Sequence, residues 1–266
     1  MFDYARISSM LAYWRQGAFP LPVAPRSMPV QVYRRLRSLL RSRLSELDVF
    51  RMGTRAWEYP WVLERLGELP LGSMVLDIGC GETPFLYALF QRGWRPIGLD
   101  TVGKDARSGY GISTAHIRVH RGMVRFVGGT MERIPLRTGS VDAVTCISVM
   151  EHIVISSQGD RATREACLAE ARRVLKPGGL LAFTYDTTMD HEVIYDWDYA
   201  EDVKFLGMEW QVPGSRIRSR EEISLDEDAF FVPPDMYIRK GYCRDCRPKH
   251  VYHRLTSVGF ALRKPA

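Results

Sequence analysis

Val75-Leu76-Asp77-Ile78-Gly79-Cys80-Gly81 is the stretch whose reading decides the fold. A short apolar run that ends in an acid and two closely spaced glycines is the pattern of a buried strand turning sharply into the next element. The next residues predict a helix: Thr83 is placed to cap it, Pro84 suits its first turn because that position donates no backbone hydrogen bond, and Gly93 suits its exit. A glycine-rich strand-to-helix bend lets a ligand approach the backbone, because a side chain would fill that space. In the dinucleotide fingerprint G-x-G-x-x-G a third glycine would stand at Pro84, and the helix N-terminus would receive pyrophosphate. The loop therefore predicts a ligand that needs close backbone contact without a pyrophosphate, and disfavours a dehydrogenase.

Outward from this bend the chain alternates short apolar runs, turn residues and helical stretches, the signature of βαβ units and a parallel sheet. Predicted strands are Met74 to Ile78, Pro96 to Leu99, Val124 to Val127, Val141 to Ile147 and Leu180 to Tyr185. A helix from Arg161 to Leu175 puts Cys167, Leu168, Ala171, Val174 and Leu175 on one face before Pro177, Gly178 and Gly179. His250 to Ser257 reads as a last helix and Phe260 to Arg263 as a last strand, with no closing hairpin evident. Asp100 ends the second predicted strand 21 residues after Gly79, near the spacing at which an acid takes ribose hydroxyls.

With these motifs the chain resembles the class I S-adenosylmethionine (SAM)-dependent methyltransferases, particularly the small-molecule group. The resemblance covers about residues 70 to 190. It rests on Asp77-Ile78-Gly79-Cys80-Gly81, Gly98-Leu99-Asp100, Gly129-Thr130-Met131-Glu132-Arg133-Ile134-Pro135-Leu136, Val141-Asp142-Ala143-Val144 with Ser148-Val149-Met150-Glu151-His152-Ile153, and Val174-Leu175-Lys176-Pro177-Gly178-Gly179-Leu180-Leu181. It implies a Rossmann-like α/β fold, a mostly parallel sheet flanked by helices, with SAM as cofactor and S-adenosylhomocysteine as product. By the same resemblance Asp77, Gly79, Cys80 and Gly81 would line the methionine end, Asp100 the ribose, and Met131 the adenine. Cys146, Ile147 and Ser148 would edge the methionine moiety. Thr130 stands where the family commonly has an aspartate on the adenine amino group, so that contact is expected to be made differently.

The sulfonium already activates the methyl, so positioning supplies much of the rate and a general base is optional. Where one is needed, Glu151 and His152 are the first candidates because they follow the fourth predicted strand at the mouth of the site; His191 is a lesser one. Cys243-x-x-Cys246 with His250 and His253 is spaced too tightly for common zinc modules, so no metal is expected. Val232-Pro233-Pro234-Asp235 lies far from the strand end where nucleic-acid amino methyltransferases carry their proline pair, which disfavours base N-methylation.

Length and charge bound the rest. The 266 residues suit one elaborated domain: an N-terminal helical and aromatic cap over 1–70, then a methyltransferase domain over 71–266 with an insertion or lid at about 187–250. In the cap, a proline-rich linker (Pro20 to Pro29) separates an aromatic segment (Phe2, Tyr4, Tyr13, Trp14, Phe19) from a helix near Val30 to Val49 and a second one following Thr54. Arg55-Ala56-Trp57-Glu58-Tyr59-Pro60-Trp61 is read either as a lid with Arg55 near the cofactor or as a staple between cap and sheet. The absence of a signal-peptide pattern, of a long apolar run and of a disulfide framework among five cysteines predicts a soluble, cytoplasmic protein. Most of the net charge of +6 lies before residue 70. The expected activity is methyl transfer to a small or carrier-linked metabolite, at oxygen. The alternatives are an RNA methyltransferase using the basic N-terminal helix, and a non-catalytic SAM-fold interaction protein.

Overall fold

A computed structural model describes residues 1–16, 53–103, 111–152, 161–189, 199–232 and 255–266. Its strands are β1 (Phe2–Tyr4), β2 (Met74–Ile78), β3 (Arg95–Asp100), β4 (Arg125–Gly128), β5 (Val141–Ile147), β6 (Leu175–Thr188), β7 (Glu209–Trp210) and β8 (Leu255–Arg263). Among the described residues the α-helices are α1 (Ile7–Gln16), α2 (Arg55–Arg65), α3 (Phe85–Gln91), α4 (Thr114–Val119), α5 (Arg161–Val174), α6 (Tyr199–Leu206) and α7 (Arg220–Ser224). The strands form one sheet in the order β1-β8-β6-β5-β2-β3-β4, with β7 pairing β8 off this path. Neighbours from β6 to β4 are parallel, as buried apolar strands joined through helices must be, while β8 runs antiparallel to β6. The Rossmann-like α/β reading therefore holds.

Alternation along the central strands fills two core layers. Ala143 and Ala182 face a layer with Trp57, Trp61, Phe85 and Leu86, whereas Val144, Cys146 and Phe183 face one with Cys167, Leu168 and Val174. The small residues on the first side make room for bulk. Trp57 and Trp61 stack at 5.3 Å and are fully buried, and a Cβ at Gly259 of β8 would lie 2.9 Å from the Trp61 ring. α2 is thus stapled to the sheet, and everything from Ala56 to Leu63 is buried.

Several expectations need correcting. Leu255 to Ser257 belong to β8 and not to a helix; they pair with Asp186 to Thr188 of β6, and His250 to Arg254 lie outside the described residues. The sheet does close: β8 fills the edge, and its outer side is shared by β1 against Val258 to Phe260 and β7 against Leu262 and Arg263. The division expected at residue 70 leaves β1 on the cap side although it lies in the sheet. Thr83 does not cap α3. Its hydroxyl donates to the Cys80 carbonyl at 3.2 Å, and Pro84 occupies the cap position without a side-chain bond. The helix near Val30 to Val49, the proline linker, Phe19, His191, Pro233 to Asp235, Cys243, Cys246, His250 and His253 also lie outside the described residues.

Candidate active site

β2, β3, β5 and β6 end side by side, and the carboxyl ends of parallel strands are where α/β sheets bind ligands. The glycine bend after β2 is built by two glycines with different duties. Gly79 has φ +65, and a Cβ there would lie 2.5 and 2.6 Å from the two methyls of Val149, so this glycine exists to seat the chain that leaves β5. Gly81 has φ +50 and a Cβ there would meet nothing nearer than Thr83 Cγ2 at 3.8 Å, so its backbone faces open space. Its amide donates to Asp100 Oδ2 at 2.7 Å, and the Thr101 amide donates to Oδ1 at 2.7 Å. The acid at the end of β3 and the glycine bend are thus in direct contact. A bare turn of backbone against a strand-end carboxylate is a set of groups that fits an adenosyl ligand with hydroxyls to donate.

Asp77 is buried, and Thr145 of β5 donates to its Oδ1 at 2.7 Å. Burial, with Asp100 nearby and against the Thr145 bond, pushes its carboxyl up to about 7. The Cys80 and Cys146 side chains turn away from the site: Cys80 lies against Gly98 and Leu86, and strand alternation sends Cys146 into the layer facing α5. Ile147 is buried beside the tryptophans. Thr130 is exposed and Met131 buried beyond the end of β4, connected to Asp100 through the Gly129 amide, which donates to the Asp100 carbonyl at 3.2 Å.

Past β5 the chain makes an unusual turn at Ser148, whose φ of +47 is the one positive value at a non-glycine among the described residues. Glu151 follows, 1% exposed; its Oε1 accepts the Asp186 amide at 3.1 Å and its Oε2 has no hydrogen-bond partner among the described residues. Burial, reinforced by Asp186, holds its pKa well above the usual carboxylate range. His152 is driven down to about 4 by burial and by the Arg55 cation. Asp186 rises to about 6 through burial and the Glu58 charge, although Ser257 donates to its Oδ1 at 2.5 Å.

Sequence reading missed Glu58 and Asp186 as members of this cluster. Glu58 is wholly buried in α2: Ser148 Oγ and Thr184 Oγ1 donate to its Oε1 at 2.5 and 2.6 Å, and Arg55 pairs with its Oε2. The signal was an acid inside the apolar run from Ala56 to Leu63, three residues after an arginine; for Asp186 it was an acid directly after the apolar run from Leu180 to Tyr185. A separate cleft of about 550 Å³ beside β4 is lined by Gly128, Gly129, Arg133, Ile134, Pro135, Glu170 and Arg173. There Arg173 donates to the Ile134 and Leu136 carbonyls and so braces the loop.

Residues 76–183 match the family model described as a methyltransferase domain. The chain carries a class I SAM-dependent methyltransferase domain. The cofactor of this family is SAM. Among curated proteins the domain is similar to the tRNA (carboxymethyluridine(34)-5-O)-methyltransferase of Macaca fascicularis, 33% identical over 183 residues, which is 69% of this chain and 24% of that protein. It is also similar to the malonyl-[acyl-carrier protein] O-methyltransferase of Yersinia pestis, 31% identical over 122 residues, 46% of this chain and 40% of that protein. The chain thus spans about a quarter of the first relative and less than half of the second. Among solved structures the methyltransferase domain is similar to the [4+2]-cyclase SpnF (TM-score 0.51, 17% identity, 78% of this chain and 80% of that one). A second is described as a sarcosine dimethylglycine methyltransferase from Galdieria sulphuraria (TM-score 0.51, 16% identity, 84% and 88%). That a cyclase shares the architecture shows that the fold alone does not fix the reaction. No helix among the described residues is long and apolar enough to cross a membrane.

Proposed function

We propose that this chain transfers a methyl group from SAM to an oxygen atom of a small or carrier-linked metabolite whose acceptor group arrives already acidic or anionic. The observation that carries this reading is the state of the two candidate bases. Burial and the Asp186 charge hold the Glu151 carboxyl well above its usual range, and His152, at about 4, is too weak a base to strip an ordinary hydroxyl. A carboxylate or an acidic enol or phenol needs no such help, and Arg55 at the rim offers it a positive neighbour. Support also comes from the names of the two curated relatives, which put the methyl on oxygen in the tRNA and malonyl-carrier enzymes.

When bound, SAM supplies a methyl on a sulfonium, ready for in-line displacement. In this reading Asp77 with the Gly79, Cys80 and Gly81 backbone holds the methionine end, and Asp100 accepts from the ribose. Thr130 and Met131 border the adenine, and the Cys146, Ile147 and Ser148 backbone closes the far side. Glu151 is not the base in this reading. The test is a panel of carboxylic, phenolic and amine acceptors with methyl-labelled SAM, run with wild type and Glu151→Gln. Transfer to oxygen acids, with Glu151→Gln within about fivefold of wild type, is expected because the amide mimics a protonated carboxyl. Transfer to amines alone, or a loss above about a hundredfold in Glu151→Gln, would overturn the reading.

A second reading is favoured by the tRNA methyltransferase relative and the basic first 70 residues: an RNA acceptor. RNA affinity falling steeply between 50 and 200 mM salt, on the order of a thousandfold, is the outcome it requires.

A further inference from the structure

We propose that Glu58 is a positioning residue of the methyl-transfer site, acting through Ser148 and Val149 on the glycine bend that follows β2. The inference rests on the methyltransferase reading above only for its ligand-binding consequence. Glu58 lies 90 residues from Ser148 and 126 from Thr184 in sequence, yet one oxygen of its carboxylate accepts from both hydroxyls, at 2.5 and 2.6 Å. The other oxygen holds the Arg55 guanidinium. A carboxylate with no exposed surface and donors on both oxygens is fixed in one geometry.

What it fixes is a strained residue. A serine does not choose φ +47 unaided, because its Cβ crowds the neighbouring carbonyl there, and the conformation persists only where the surroundings impose it. The surroundings here are the Glu58 carboxylate on the side chain and the Thr184 carbonyl, which accepts the Ser148 amide at 3.0 Å. The direction the chain takes after Ser148 sets the next residue, Val149, whose methyls would clash with any Cβ at Gly79. The contacts therefore run from α2 to Ser148, to Val149, and to the first turn of the bend that faces the cofactor. The same turn carries Glu151 onto the Asp186 amide. Glu58 touches neither Gly79 nor Gly81, so its influence on binding is indirect.

The experiment compares Glu58→Ala, Glu58→Gln and Ser148→Gly, with Glu58→Ala also made in the Ser148→Gly background. Two readouts are taken: S-adenosylhomocysteine affinity by titration calorimetry, and hydrogen exchange of the amides from 148 to 152. Loss of a buried charged acceptor is expected to weaken S-adenosylhomocysteine by about tenfold or more in Glu58→Ala. Exchange at 148 to 152 should rise by about tenfold as the turn loosens. Glycine adopts the left-handed turn without help, so in the Ser148→Gly background the Glu58→Ala losses should shrink to within about threefold. Wild-type affinity and exchange in folded Glu58→Ala, or an undiminished loss in the glycine background, would overturn the proposal. If Glu58→Ala does not fold, Glu58→Gln decides: faster exchange at 148 to 152 supports the clamp and unchanged exchange refutes it. A wild-type protein that binds no S-adenosylhomocysteine would sink the cofactor reading alone, since exchange still tests the clamp.

Discussion

Replacing Gly79 by alanine should destabilise the protein far more than the same change two residues later. At Gly79 two costs combine. The left-handed φ of +65 costs a non-glycine residue about 1–2 kcal/mol, and forcing a methyl to within 2.5 Å of Val149 adds an overpacking cost of about 1–3 kcal/mol. Together these are on the order of 2–5 kcal/mol, and at about 2–4 °C per kcal/mol the melting temperature should fall by roughly 5–15 °C. At Gly81 the φ of +50 carries the backbone cost alone, since an added methyl has only Thr83 Cγ2 near it, at 3.8 Å. Gly81→Ala should therefore lose about 1–2 kcal/mol of stability while its methyl intrudes on the space where the bend meets ligand, so S-adenosylhomocysteine affinity should suffer more than folding. Urea denaturation of both variants, and of Gly79→Ala in a Val149→Ala background, checks this. In that background the Gly79→Ala cost should drop to about 1–2 kcal/mol, because the obstructing methyls are gone. Equal costs at the two glycines, or an undiminished cost without Val149, would refute the packing argument.

Asp100→Asn keeps one acceptor but loses the charge facing the Gly81 amide, and should weaken S-adenosylhomocysteine by about 10- to 100-fold in a calorimetric titration while melting within a few degrees of wild type. The pH dependence has a definite sign. Asp77 and Asp186 have folded pKa values of about 7 and about 6, above the ordinary 3.8, so their contribution to stability is complete below about pH 3.8 and is lost as pH rises through 6 and 7. His152, lowered to about 4 from 6.5, acts in the other direction: it removes stability as pH falls from about 6.5 toward 4. A cationic ligand beside Asp77 favours its ionised form, so SAM binding at pH 6.5 should release protons. Titrations in phosphate and Tris should then differ in apparent enthalpy, and identical enthalpies would count against the argument. Gly259→Ala drives a methyl to 2.9 Å from the Trp61 ring; it should lower the melting temperature by several degrees, as overpacking of about 1–3 kcal/mol requires, and an unchanged melting curve would contradict the stapling of α2.

Much of this architecture is written locally. Met74–Ile78 and Val141–Ile147 have the boundaries their composition predicts, because a buried parallel strand is predominantly apolar and must stop where turn residues begin. The Gly79 to Gly81 bend and Asp100 were readable together because their spacing reflects one βαβ unit. What was not readable depends on partners distant in sequence. β1 has three residues, too few for any periodicity, and exists because Val258 to Phe260 offer it an edge. β6 begins at Leu175, before Pro177-Gly178-Gly179, because the register against β5 slips between Val141 and Ala143 and the glycines fill the slip. The two glycines of the bend looked alike in sequence, yet one answers to a valine 70 residues away and the other to open space. Glu58 stood in the sequence only as part of a stretch read as lid or staple, and its hydroxyl partners, 90 and 126 residues away, could not be guessed.

Those distant contacts bind the first residues of the chain to the sheet and to the turn that follows β5. β8 is buried from Leu255 to Leu262 because both its edges are used, one by β6 along its length and the other by β1 and β7 placed end to end. A strand of three residues and one of two could not persist separately; each is kept by the edge it completes. Gly259 in the middle of β8 lets Trp57 and Trp61 lie directly on the sheet, and this brings the N-terminal end of α2 over the ends of β5 and β6. Arg55 and Glu58 reach the turn at Ser148 by that route. A residue outside the 76–183 domain match therefore holds a turn inside it, so the geometry of the site has to be tested through α2 as well as through the motifs of the domain itself.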